Sequence, residues 1–133
     1  IDGVTWYWPA EIKIGATHQL LDDELRLLAP FDPIVWDRAR FEMLWGWAYR
    51  FEAYTPAAKR KFGYYALPML WRGNVIGWGN LLVKDDALLC EFGYVAGQAP
   101  KDREFKSALA AECEKMQRFL RLSTIELATA SVR

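Results

Sequence analysis

The sequence predicts an α+β domain, a curved, mostly antiparallel, barrel-like sheet with two helices packed on it. Three observations carry that class. Between Gly63 and Val95, three runs rich in β-favouring residues are separated only by Arg72-Gly73-Asn74 and Asp85-Asp86, the spacing of a meander with tight connections. Gly77, Gly79 and Gly93 lie inside those runs, where glycine marks a bulge or a barrel corner and so implies curvature. From Asp102 to Leu120 the apolar residues Phe105, Leu109, Cys113, Met116 and Leu120 recur at spacings of four, four, three and four. That is the single buried stripe of an amphipathic helix.

The remaining elements follow in order. Val4–Trp8 alternates β-favouring and aromatic residues up to Pro9 and reads as a strand. Residues 11–24 lack a clear period and become acidic, as a connector does, and Leu25–Ala29 is a short apolar strand. Asp32-Pro33 supplies a cap and a proline at the first helical position, where its missing N–H costs nothing. The helix that follows, Ile34–Trp45, is expected to set Trp36, Phe41, Leu44 and Trp45 on one side and Asp37, Arg38, Arg40 and Glu42 on the wet side, with Gly46 ending it. Tyr49–Thr55 alternates like a half-buried strand. Pro56–Phe62 is a loop with a basic run, Gly63–Trp71 a strand that Pro68 places at an edge or a bulge, and Ser123–Ala130 a final strand.

Composition narrows the function classes. A chain of 133 residues suits one domain, and a domain of that size buries roughly two thirds of the surface its unfolded chain exposes. No apolar run approaches the ~20 residues of a membrane span, so no membrane role is expected. Lys plus Arg equals Asp plus Glu at 17 each. The chain therefore has no overall positive field, and any contact with a polyanion must be local. Cys90 and Cys113 stand far apart and read as small buried hydrophobes in a reducing cytoplasm. His18, the one histidine, has no cysteine near it and only Asp22 and Asp23 close by, so no metal site is expected.

Catalytic patterns are scarce. Gly77-Trp78-Gly79 lacks the further glycine and the strand-to-helix setting of a nucleotide-binding turn. One histidine leaves little with which to build a nucleophilic triad. Glu52 and Glu91 fall in expected strands and could approach each other, although solvated or salt-bridged carboxylates explain them as well.

The chain also contains a set of words in fixed order: Ala-Pro-Phe-Asp-Pro (Ala29–Pro33), Trp-Asp-Arg (Trp36–Arg38), Tyr-Arg-Phe-Glu-Ala-Tyr-Thr-Pro-Ala-Ala-Lys-Arg (Tyr49–Arg60) and Gly-Tyr-Tyr-Ala-Leu-Pro-Met-Leu-Trp (Gly63–Trp71). Together they resemble the C-terminal region of the bacterial crosslink-repair DNA glycosylases, a family of winged-helix DNA-binding-domain proteins. The resemblance implies a longer parent, a hydrolase that cuts the bond between a modified base and its sugar in alkylated or crosslinked DNA. Such enzymes use a Gln-X-Gln or Gln-X-Asp motif in an N-terminal winged-helix region. Here Gln19, Gln98 and Gln117 are followed two positions later by Leu21, Pro100 and Phe119, so the motif is absent and the chain alone is expected to be inactive. Residue 1 is Ile rather than Met, and residues 1–133 are expected to form a single C-terminal, non-catalytic module. Its implied partners are the upstream winged-helix domains of the same chain and, through the parent, double-stranded DNA. No cofactor is implied, and the location is cytoplasmic.

Within that frame the basic run gives the candidate DNA-binding residues Lys59, Arg60, Lys61, Tyr54 and Tyr64. Three cations in a row suit phosphates, and a tyrosine beside them suits a sugar or base. A solvated turn paired with Glu52 accounts for the same residues. Trp36, Trp45, Trp47 and Trp71 could stack bases or simply form the core. The second function class is an interaction module without a nucleic-acid role, docking another domain or protein through exposed aromatics. Salt separates the two, because phosphate binding weakens steeply as salt rises and an aromatic interface changes little.

Overall fold

In a computed structural model of the chain, which describes residues 3–7, 9–11 and 23–128, two-residue turns organise the sheet. Arg72 and Gly73 have φ of 47° and 75°, and Asp85 and Asp86 have 48° and 61°, the left-handed pairs whose twist suits a tight hairpin. They join β2 (Ala66–Trp71) to β3 (Asn74–Lys84), and β3 to β4 (Ala87–Tyr94). With β1 (Leu25–Leu27) and β5 (Thr124–Ala128) these strands form one sheet in the order β1-β2-β3-β4-β5, curled into a half-barrel. All neighbours are antiparallel except β4 and β5, which are parallel. The expected class and the meander are both present.

The curl has a local cause. Met69 pairs with Gly77 and Leu70 with Val75, which leaves Ile76 as the extra residue of a bulge and sharpens the twist there. Pro68 precedes this irregularity, but β2 is an interior strand and not the edge. Its carbonyl accepts from Leu28 N at 2.8 Å, and the return bond that an antiparallel pair would add needs an N–H that proline lacks. β1 accordingly ends at Leu27, two residues short of the expected Ala29.

Each face of the sheet carries its own core. On one face Met69, Trp71, Leu88, Cys90 and Phe92 pack with Leu25 and with Phe105 and Cys113 of α3 (Arg103–Leu120). Asp102 caps that helix by accepting from Phe105 N at 2.9 Å. Leu109 and Met116 join the cluster half-buried, but Leu120 is exposed at the helix end, so the buried stripe stops one turn early. Glu112 of α3 accepts from the Leu27 N–H at 3.2 Å and ties the helix to the edge strand. Cys90 and Cys113 are free and buried; their mutual contact, with burial, pushes the Cys113 thiol far above its ordinary range.

The other face is covered by aromatics. Leu28, Val35, Phe41, Trp47, Tyr49, Ala66 and Val75 form the second cluster. The single helix expected over 34–45 is two, α1 (Pro33–Trp36) and α2 (Arg38–Trp45), so that the described residues hold three α-helices. Asp37 is extended between them because its side chain caps α2, accepting from Arg40 N at 3.0 Å. The break turns Val35 and Phe41 inward and leaves Trp36 and Leu44 exposed, so the expected aromatic side is divided. Gly46 ends α2 with φ 65°, as its position implies.

Two expected strands are absent. Among the described residues, residues 4–7 take no strand conformation, and Val4 and Tyr7 are exposed while Trp6 is half-buried. Trp8, most of the 11–24 connector, His18, Gln19 and residues 129–130 of the final strand lie outside the described residues. Tyr49–Thr55 is irregular, because its side chains leave the two-residue period: Tyr49 and then Glu52 are buried, while Ala53 is half-buried.

Candidate functional site

The basic loop is built from the irregular segment that precedes it. Trp47 packs edge-on against Phe62, ring centroids 5.2 Å apart, and Tyr49 donates from its hydroxyl to Ala66 O at 2.8 Å. Burial, reinforced by Tyr65 and Glu52, pushes the Tyr49 phenol well above its ordinary value, so it stays a hydrogen-bond donor and offers no acid or base. These contacts lower Glu52 into the structure, where it is 6% exposed.

Glu52 then organises the loop. Its carboxylate accepts from the backbone N–H groups of Lys61 (2.8 and 3.0 Å), Phe62 (2.7 Å) and Gly63 (3.3 Å). Three consecutive N–H groups converging on one anion form a nest. From the opposite side Asn80 of β3 donates from Nδ2 to Phe62 O at 2.7 Å. Gly63 has φ 121°, and a Cβ there would lie 2.4 Å from the Asn80 side chain, so only glycine passes between the two clamps.

The cations project from this anchor. Pro56 leads into a short 3-10 turn, Ala57–Lys59. Arg60 is half-buried: its Nε donates to Thr55 O at 2.8 Å and its guanidinium lies 4.9 Å from the Tyr64 ring centroid. Lys59 and Lys61 are exposed, and among the described residues neither forms an ion pair. The expected neutralisation by Glu52 through a salt bridge does not occur, because its oxygens are taken by backbone donors.

Lys59, Arg60, Lys61 and Tyr64 thus share one surface, with Tyr54 beside Thr55 and 92% exposed. Of the four tryptophans considered for stacking, Trp47 and Trp71 are buried, Trp45 is half-buried, and Trp36 is exposed. The pairing of Glu52 with Glu91 is not made, since Glu91 points to solvent on β4. Sequence reasoning missed Glu52 as the loop's anchor and missed Phe31 and Phe51. Phe31 packs 6.5 Å from Trp36 and 5.7 Å from Phe51, and Phe51 lies 6.2 Å from Tyr54 and 5.1 Å from Tyr65. The signal was present in the words Pro-Phe-Asp-Pro and Tyr-Arg-Phe-Glu-Ala-Tyr, but only folding shows that they meet.

Among the described residues no cluster of His, Cys, Asp or Glu could hold a metal ion, and no helix is long and apolar enough to cross a membrane. The family model described as DNA glycosylase AlkZ-like matches residues 1–119. No solved structure matches the chain.

Proposed function

From the premise that this chain belongs to the AlkZ-like DNA glycosylase family, we propose that it is the C-terminal, non-catalytic module of a bacterial DNA-repair hydrolase acting on alkylated or crosslinked DNA. In this reading winged-helix domains of the same cytoplasmic protein cut the base from its sugar. The present module scaffolds them and holds the duplex backbone through Lys59, Arg60 and Lys61, with Tyr54 and Tyr64 against sugar or base. The observation that carries it is the loop itself. Three cations stand on a backbone fixed by the buried Glu52 and by Asn80, whereas a merely solubilising turn has no need of such an anchor. The balanced total charge fits a local contact that positions the DNA and leaves sequence and lesion to other parts.

Two results test this. Changing Lys59, Arg60 and Lys61 together to Ala in the full-length protein is expected to weaken binding to every duplex by a similar factor, and to lower the salt slope by roughly 0.9 for each phosphate no longer neutralised. Cleavage at saturating enzyme should survive, because the loop positions the duplex without touching the bond being broken. Unchanged affinity and slope would leave a solvated turn and favour an interaction module. Residues 1–133 alone are expected to release no base from alkylated or crosslinked DNA, since they lack the glutamine motif. Abasic sites above a buffer control, with contamination excluded, would refute the non-catalytic assignment.

A further inference from the structure

Next to the basic loop the aromatics form a continuous row. Trp36, Phe31, Phe51 and Tyr54 follow one another at ring separations of 6.5, 5.7 and 6.2 Å, with Tyr65 branching from Phe51 at 5.1 Å. Half-buried Phe51 roots the row in the second core, while Trp36 at 69% exposure, Phe31 at 62% and Tyr54 at 92% lie open to solvent. Tyr64, the residue before Tyr65, is exposed, and Arg60 covers its ring. A protein that leaves so much aromatic surface contiguous has a use for it.

Charge decides between occupants. At the Tyr54 end the adjoining loop presents Lys59 and Lys61 without ionic partners among the described residues, and at the Trp36 end the Asp32 and Asp37 carboxylates accept backbone N–H groups as helix caps beside exposed Arg38. Rings for π-faces beside cations for phosphates are the two components of a single-strand platform. Ring orientation then selects the form of the strand. Phe51 stands edge-on to Phe31, Tyr54 and Tyr65, at interplanar angles of 64°, 84° and 90°, so these rings cannot all face the parallel bases of a stacked strand. They suit bases that have been drawn apart.

We propose that the row formed by Trp36, Phe31, Phe51 and Tyr54 takes the bases of an unpaired DNA strand while Lys59 and Lys61 hold its phosphates. This rests on the DNA-binding reading above and adds the form of DNA bound. A repair enzyme that must open a duplex around a lesion gains from a surface that keeps the displaced strand from closing again.

Anisotropy with a labelled oligothymidylate and with a duplex of equal length, both on the full-length protein, separates the two ideas. Trp36→Ala is expected to weaken single-strand binding about fivefold or more with duplex binding unchanged, whereas Tyr54→Ala, at a residue the duplex reading also uses, is expected to weaken both. Trp36→Phe and Tyr54→Phe, which keep a ring, should bind as wild type does. A 2-aminopurine in the oligonucleotide should be quenched by wild-type protein and recover its emission with the alanine variants. The side chains of Trp36 and Tyr54 are exposed, and thermal melts of all variants should coincide. If the alanine variants keep single-strand affinity and quenching while the duplex still binds through the loop, the row is not a strand platform and the DNA reading stands. If neither form of DNA binds the wild type, both ideas fail. A change of oligomeric state on Trp36→Ala, without any loss of oligonucleotide binding, would assign the row to protein docking and overturn the proposal.

Discussion

Glu52→Ala is expected to destabilise the chain by about 3–5 kcal/mol, because it leaves three backbone N–H groups in a half-buried site without their charged acceptor. The carboxylate oxygens lie 2.7 to 3.3 Å from the nitrogens of Lys61, Phe62 and Gly63. Glu52 is 6% exposed, so water reaches the vacated site only in part and part of the desolvation penalty remains. Glu52→Gln should fall between, since its amide keeps one acceptor oxygen but turns an NH2 toward other donors. Urea melts report the loss as a lower midpoint at unchanged slope. Hydrogen exchange localises it, with the amides of Lys61, Phe62 and Gly63 expected to lose protection first. The same variant should weaken duplex binding although no cation has been removed, because the cations lose their common frame. A Glu52→Ala protein that melts with the wild type would mean that Asn80 and the aromatic contacts hold the loop unaided.

Gly77→Ala is expected to be as damaging or worse, roughly 4 kcal/mol or more. A Cβ at Gly77 would sit 2.1 Å from the carbonyl oxygen of Gly93 on the neighbouring strand. The obstacle is backbone, and no rotamer change relieves it. The strands would have to separate where the bulge already bends them, and Trp78, stacked 5.9 Å from Trp47 and edge-on 4.9 Å from Phe62, would lose its seat. Gly79→Ala is a graded control. Its Cβ would meet the edge of the Phe92 ring at 2.9 Å, and a side chain yields more readily than a strand, so its loss should be smaller. Equal melts for both glycine variants would show that the close approach of β3 and β4 is not what the glycines serve.

The parts of the fold that were legible in the sequence are those whose signal is local. Turn chemistry at Arg72-Gly73 and Asp85-Asp86 placed β2, β3 and β4, and a helical period with Asp102 in front placed α3. Where local signals competed, the reading failed. Asp37 is a good cap inside what otherwise looks like a helix, and capping won over continuity. The alternation in Tyr49–Thr55 reflects a chain threading aromatics and one carboxylate into the second core, and that pattern is indistinguishable from a strand until its partners are known. The basic loop was legible as a loop, since three charges together are not buried unpaired. Its anchor was not, because an acid nine positions before Lys61 has no sequence mark that distinguishes it from a surface glutamate. The aromatic row was hidden for the same reason: its members come from Phe31–Trp36 and Phe51–Tyr65, and periodicity speaks only of neighbours.

The parallel pairing of β5 sets an order of assembly. The hairpins of β2, β3 and β4 close over two-residue turns, an event of microseconds, whereas pairing Thr124 with Ala87 closes a loop that contains the whole of α3 and is slower for that reason. In the interval β4 is an open edge that carries Leu88, Cys90 and Phe92 on one side, a template on which a second nascent chain can pair. Docking of α3 therefore does more than bury an apolar stripe: it determines how long the molecule remains vulnerable to its own copies.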